Sequence, residues 1–423
     1  MNSNAFLCIF GLDPDCFDKV DGPIIDEGTA IYEAWESRRQ SRCPKCGCPD
    51  AHVHHRYEAN IRVRGDAIRE EILIAHRIIY RCKGCGKTFS NPIRGVEESH
   101  TVSIAEKAEI LAELRAGCTF SGVAERHRIS VTSAVRVFDQ AYPAVGRGRL
   151  PKILLIDEFK FKTDAGKYVC HLVDFETSQT VDLVRSRAKA YLDEYFRGID
   201  EKERSGVKYV VTDMYDEYAA AARRWLPNAK VVVDRFHVVK QLTEAVNSIR
   251  VASLSLYEKG DAEYAFMKQK WKAFLCRKAD IPDRYYSSKK TGESWHYDEM
   301  VSRCLDADPN LKEAWNELQD LLWLMKRKDT FLDAVKEIDF LSTKLKNCSH
   351  WRLQKVGETF GKWRIEIARG MAKNELGVVL SNGKMEAAND VAQTFIDAAY
   401  GYCNFDRFRK RFLLLRREKK RLR

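Results

Sequence analysis

The stretch from 152 to 234 constrains the fold more than any other part of the chain. Three apolar runs follow one another closely: Lys152-Ile-Leu-Leu-Ile-Asp157, Tyr168-Val-Cys-His-Leu-Val-Asp174 and Gln179-Thr-Val-Asp-Leu-Val184. Their β-branched residues and short separations predict consecutive strands in a meander. An amphipathic helix over 188–196 leads to a fourth run, Val207-Lys-Tyr-Val-Val-Thr-Asp213. A second helix precedes a fifth, Ala229-Lys-Val-Val-Val-Asp234.

The order β-β-β-α-β-α-β is that of a ribonuclease-H-like sheet, in which the first and fourth strands are neighbours. Asp157 and Asp213, each closing an apolar run, would then meet. In-line hydrolysis or transfer of a phosphodiester is helped by two metal ions about 3.5–4 Å apart, clamped by shared carboxylates. Magnesium favours such oxygen ligands. An aspartate after a strand also serves as a helix cap, and periodicity alone does not separate the two duties.

The chain has 13 cysteines, an odd number, and several stand singly (Cys118, Cys170, Cys276, Cys304). That argues for reduced thiols, so the clustered cysteines call for metal. Cys43-Pro-Lys-Cys46 and Cys82-Lys-Gly-Cys85, each followed by a glycine (Gly47, Gly86), offer two pairs of thiolates on tight turns and suit tetrahedral zinc. The β-rich segment between them contains Ile61-Arg-Val-Arg64 and Glu71-Ile-Leu-Ile-Ala-His-Arg-Ile-Ile-Tyr80. A zinc ribbon with an extended hairpin is therefore expected over 41–97. Cys48, His52, His54 and His55 are rival ligands. Residues 1–40 carry eight acids against three bases, a poor surface for DNA, and receive no function.

Over 101–146 the pattern turns helical, with breaks near Thr119 and at Arg128-Ile129-Ser130. This is helix-turn-helix spacing. Ala124 would sit at the crossing, Ile129 would plug the turn and Ser130 would cap the third helix. Thr132, Ser133 and Arg136 would face a major groove. A packing unit without DNA contact has the same periodicity. Pro143-Ala-Val-Gly-Arg-Gly-Arg-Leu-Pro151 reads as a linker.

From 241 to 377 the sequence is helical and carries six tryptophans, Trp271, Trp295, Trp315, Trp323, Trp351 and Trp363. They are expected to fill a core; stacking on unpaired bases is the sharper alternative. Net charge is +11, of which residues 401–423 supply +8, with ten Lys/Arg against two Asp/Glu. Arg407, Arg409 and Lys410 in that basic tail are candidates for phosphate contact; a solvated helix end is the alternative. No apolar run approaches the ~20 residues of a membrane span, and no secretory pattern opens the chain, so a cytoplasmic protein is expected.

Val231-Val-Val-Asp-Arg-Phe-His-Val-Val-Lys240, Ser381-Asn-Gly-Lys-Met-Glu386 and Ala399-Tyr-Gly-Tyr-Cys-Asn-Phe-Asp-Arg-Phe-Arg409 resemble signature stretches of the ISL3 family of bacterial insertion-sequence transposases. The paired-cysteine ribbon and helix-turn-helix come in the family's order. The resemblance implies that Asp157, Asp213 and Glu386 are the DDE carboxylates, holding two Mg²⁺ or Mn²⁺ ions. It also implies that the partners are the double-stranded terminal inverted repeats and target DNA, bound by a homodimer or higher assembly. Glu386 could instead close a capping box. Asp234 and Glu158 are reserve carboxylates, and His237 is expected to buttress the site.

The fold class implied is multidomain α+β. A ribbon and helix-turn-helix precede a ribonuclease-H-like domain over 151–240 and 378–411, interrupted by an α-helical insertion over 241–377 and followed by the basic tail at 412–423. Two positions depart from the family pattern. Gln393 stands where the family carries Lys or Arg, and Asp397 falls in a usually basic stretch. They leave open a domesticated or inactive DNA-binding regulator as the alternative.

Overall fold

The computed structural model describes residues 3–38, 42–65, 70–97, 102–288, 292–327, 330–375, 377–399, 402 and 404–421. Tyr400, Gly401 and Cys403 of the signature stretch, and the last two residues of the basic tail, lie outside them. The chain divides into two compact units, one of residues 1–146 with 397–423 and one of residues 147–396.

The first unit opens with α1 (Ser3–Ile9), then β1 (Phe17–Asp26), β2 (Thr29–Glu36), β3 (Ala51–Gly65), β4 (Glu70–Cys82) and β5 (Thr88–Ser90). Sheet order is β1-β2-β4-β3, with β5 on β4. β3 and β4 form the long antiparallel hairpin, from Ala51↔Cys82 to Gly65↔Glu70. The acidic N-terminal segment is part of the same sheet, because β2 pairs in parallel with β4 from Thr29↔Glu70 to Trp35↔His76. Glu36 secures that join. Its buried carboxylate accepts at Oε2 from Arg77 Nε at 2.8 Å and from the Ile78 N–H at 3.0 Å, which offsets part of the cost of burying the charge.

Three helices follow, α2 (Ile104–Ala116), α3 (Phe120–Arg126) and α4 (Val131–Ala141). Each is entered through a hydroxyl cap: Ser103, Thr119 and Ser130 accept from the N–H three residues on, the arrangement that stabilises orphaned first-turn donors. Their apolar faces meet at Ile110, Leu114, Val123, Val137 and Phe138.

The second unit is built on β6 (Ile153–Thr163), β7 (Gly166–Asp174), β8 (Thr180–Val184), α5 (Lys189–Arg197), α6 (Glu201–Ser205), β9 (Tyr209–Thr212), α7 (Asp216–Trp225) and β10 (Lys230–Val233). Order is β10-β9-β6-β7-β8. β6 and β9 run side by side in parallel, as do β9 and β10, and the meander β6-β7-β8 is antiparallel. β6 differs from its expected span by continuing six residues past Asp157. The cause is a two-residue alternation, with Phe159 and Phe161 buried and Lys160 and Lys162 exposed, which carries the hairpin with β7 onward.

That alternation also sorts the sheet's faces. Leu154, Ile156, Cys170, Leu172, Val210, Val231 and Val233 belong to one core layer. Ile153, Leu155, Val173, Tyr209, Val211 and Val232 belong to the other, with Leu380, Met385 and Ala388.

The helical stretch comprises α8 (Arg235–Ser253), α9 (Ala262–Gln269), α10 (Tyr297–Ala307), α11 (Pro309–Leu324), α12 (Phe331–Lys346), α13 (Trp351–Lys362) and α14 (Arg364–Met371). It is not purely helical: β11 (Tyr285–Ser287) and β12 (Ser294–His296) form a small hairpin. α14 packs closely on β10, where a Cβ at Gly370 would run into the Val233 carbonyl. Of the six tryptophans, Trp315 and Trp363 are buried in the core and Trp295 packs against it. Trp271, Trp323 and Trp351 are exposed, with Lys272, Arg327 and Arg352 over their rings at 5.7, 4.6 and 4.5 Å.

Finally come α15 (Gly383–Ala398) and α16 (Phe405–Arg421). α16 completes the first unit, burying Phe405, Phe408, Phe412 and Leu413. Among the described residues no helix is long and apolar enough to cross a membrane.

Candidate active site and metal centres

Parallel pairing of Leu155 with Val211 brings Asp157 and Asp213, two residues further along each strand, to the same level. Carboxylate oxygens of Asp157, Glu158 and Asp213 lie within 4.8 Å of one another. Glu158 joins them from the opposite face, since successive strand residues alternate. It is held there by Arg187, which donates to Oε1 at 2.6 Å, and by the Tyr218 hydroxyl, which donates to Oε2 at 2.8 Å. The Arg187 guanidinium also lies over the rings of Tyr168 and Tyr215. Asp213 accepts from the Tyr215 N–H at 3.1 Å.

Like charges are crowded in this group. Burial, with the neighbouring charges of Glu158 and Asp213, pushes the Asp157 carboxyl up to about 7. Burial and the Glu158 charge raise Asp213 as well. Arg187 balances one negative charge, and a divalent ion would relieve the remainder.

α15 covers the Asp157 face. Met385 and Ala388 fill the apolar layer, and Asn389 donates from Nδ2 to Asp157 Oδ2 at 3.1 Å. At the start of the helix the Asn382 N–H donates to Asp234 Oδ1 at 2.9 Å. Asp234 thus ties the end of β10 to the Ser381-Asn382-Gly383 turn. Glu386 lies between these ties, four residues after Asn382 and three before Asn389, on the same side of the helix. It is exposed and is not one of the three mutually close carboxylates. His237, on the first turn of α8, contacts the Phe236 ring edge-on. Sequence reasoning missed Asn389, Arg187, Tyr218 and His171. A usable signal existed for His171, a lone imidazole in the apolar run Tyr168-Val-Cys-His-Leu-Val.

In the first unit, Cys43, Cys46, Cys82 and Cys85 also converge. The Cys43–Cys85 and Cys46–Cys82 sulfurs are each 3.6 Å apart, close to the ~3.8 Å edge of a tetrahedron with metal–sulfur bonds of about 2.3 Å. Backbone N–H groups, foremost that of Cys85, lower the Cys82 thiol to about 6, favouring the thiolate that metals bind, while the Cys85 and Cys82 thiols push Cys46 up to about 12. Cys48 instead donates to the Asp50 carbonyl at 3.7 Å. His52, His54 and His55 are not in the cluster.

On α4, Thr132 and Arg136 are exposed, and Ser133 shares a hydrogen bond with Ser130 at 2.8 Å. The tail residues have duties within the fold. Arg407 pairs with Asp139 at 2.7 Å, and Arg409 donates to the Val145 carbonyl at 3.0 Å. Lys410 is half-buried. The buried Arg411 donates to the carbonyls of Leu114 and Cys118.

A comparison with curated proteins finds no match. The family model described as a transposase of the DDE ISL3 type matches residues 154–412. That span exceeds half the chain and contains all three of Asp157, Asp213 and Glu386. The chain therefore belongs to the ISL3 family of transposases.

Proposed function

We propose that the protein cuts DNA at the terminal inverted repeats of an insertion sequence and joins the freed ends to target DNA, with Asp157, Asp213 and Glu386 as the catalytic carboxylates of a ribonuclease-H-like domain. The observation that carries this reading is the level pair of Asp157 and Asp213 on adjacent parallel strands, under a helix that bears Glu386. Bound Mg²⁺ or Mn²⁺ would supply Lewis-acid stabilisation of the attacking and leaving oxygens.

The reaction balances without an energy-rich cofactor. Water attacks the phosphodiester and a 3′-oxygen leaves with a proton. That 3′-hydroxyl then attacks a target phosphodiester, so one P–O bond forms as another breaks. Asp157 and Asp213 hold their oxygens ready for the cations, and Arg187 pairs with Glu158 beside them.

The other unit supplies recognition in this reading. The four cysteines hold zinc, and α3 and α4 act as a helix-turn-helix whose exposed Thr132 and Arg136 and half-buried Ser133 enter the major groove. Two ends must be held together, so a homodimer or higher assembly is expected on DNA. The test is an assay on labelled end DNA and on pre-cut ends, comparing the native chain with Asp157→Ala. Loss of both cleavage and joining with binding to the repeats intact is expected; undiminished cleavage would overturn the assignment.

A further inference from the structure

We propose that His171 and Asn389 are positioning residues that orient the Asp157 carboxylate for its cation and fix the helix carrying Glu386; this rests on the catalytic reading above. Asp157 and His171 are directly opposed across the β6–β7 ladder, so both project to the face that α15 covers. His171 is fully buried. Its Nε2 is 2.9 Å from Thr180 Oγ1, its Nδ1 is 2.7 Å from Asn389 Oδ1, and Asn389 Nδ2 reaches Asp157 Oδ2 at 3.1 Å.

With Asp157 ionised and His171 neutral, one arrangement of protons satisfies this row. An ionised carboxylate accepts and cannot donate, so the Asn389 amide must turn its NH₂ toward Asp157 and its carbonyl toward His171. The imidazole then carries its proton on Nδ1, and Nε2 of the neutral ring accepts a hydrogen bond from the Thr180 hydroxyl. Turning the amide over would set NH₂ against N–H and carbonyl against carboxylate. The network is therefore directional. It begins at a strand residue, crosses to α15 and ends on the carboxylate, through partners 232 positions apart in the chain.

Packing alone does not account for it. Met385 and Ala388 already seal the apolar layer beside it, and buried polar groups are costly unless paired. What the row adds is a single orientation. Asn389 and the Asn382–Asp234 bond pin α15 on both sides of Glu386, so the same contacts that aim Asp157 hold the third carboxylate at a set height above the sheet. Partners of this kind, one bond removed from a metal, are worth about 10- to 100-fold in metal affinity or rate.

The test uses the full-length protein and four variants, Asn389→Ala, His171→Phe, His171→Asn and Asp157→Ala. Three quantities are measured: Mn²⁺ affinity by electron paramagnetic resonance without DNA, end cleavage across a Mg²⁺ titration, and binding to the terminal repeats. Asn389→Ala and His171→Phe are each expected to weaken Mn²⁺ binding and slow cleavage about 10- to 100-fold, with repeat binding intact. His171→Asn places an amide donor where Nδ1–H stood and is expected to recover most of both. Asn389 is only half-buried, so its alanine variant serves where His171→Phe fails to fold. Native Mn²⁺ affinity and cleavage in Asn389→Ala, beside loss of both in Asp157→Ala, overturns the proposal and leaves the catalytic reading standing. Retention of both by Asp157→Ala removes that reading and this proposal with it.

Discussion

Leu155 and Val211 are register partners on parallel neighbouring strands, and everything at the acidic cluster follows from that pairing. It levels Asp157 with Asp213 and leaves Glu158 on the opposite face, neutralised by Arg187. The carboxylates differ in their surroundings, so they differ in what their removal does.

Asp157→Asn and Asp213→Asn keep side-chain volume while removing a buried negative charge. Each is expected to lower end cleavage on the order of 10²–10³-fold or more, as for loss of one preorganised electrostatic group. Apo-protein stability should hold or rise, since the burial of a charge and the repulsion by Glu158 and Asp213 that together lift Asp157 are relieved. Single-turnover cleavage and a thermal melt measure the two effects.

Removal of metal from the four-cysteine cluster is expected to act on the first unit. Folding of a four-thiolate site draws on binding free energy roughly in the range of 10–16 kcal/mol. Phenanthroline, or Cys43→Ser at a buried ligand, is therefore expected to release one zinc per chain and melt the β3–β4 hairpin end. Elemental analysis and circular dichroism report it, and an unchanged melt in metal-free protein would count against a structural zinc.

Arg411→Met retains the apolar stem and withdraws the guanidinium from the buried Leu114 carbonyl, the half-buried Cys118 carbonyl and the Phe120 ring. An expected loss of about 1–3 kcal/mol follows from leaving those groups unsatisfied. Arg407→Ala, at a half-exposed ion pair, should cost under about 1 kcal/mol. Denaturant unfolding of the two variants gives the comparison, and equal losses would contradict it.

His127 sets a pH dependence. Its Nδ1 lies 2.9 Å from the buried Glu106 carboxylate, and that hydrogen bond raises its pKa above the ordinary value. A folded-state pKa above the unfolded one means that stability is fully present below about pH 6.5 and is lost as pH rises through the raised value. Unfolding midpoints measured from about pH 6 to 9 should fall across that window, and His127→Gln should flatten the slope.

How much of this was legible in sequence depends on the range of the interaction. β9 and β10 are short apolar runs closed by Asp213 and Asp234, and local composition identifies them. β6 was cut short because Phe159 and Phe161 alternate with lysines and so interrupt the apolar run, although that alternation is itself a strand signal. The cysteine pairs were readable because the ligands come two by two at fixed spacing. Asn389 was not, since its meaning lies in partners at 157 and 171 that only folding supplies. The parallel pairing of β2 with β4 was hidden for the same reason. Nor does the charge of Arg407 and Arg409 tell whether a guanidinium will face a phosphate or a neighbouring carbonyl, a choice made by the aromatic face of α16.

That helix has a consequence in time as well as space. Residues 1–146 emerge from the ribosome long before residues 397–423, yet both belong to one unit, and Phe408 and Phe412 are fully buried in it. The first unit thus begins first and finishes last, with the whole of the second unit synthesised in between. A chain stopped short of α16 would carry Asp157, Asp213 and Glu386, the proposed catalytic carboxylates, and still lack the closing face of the unit proposed to hold the ends.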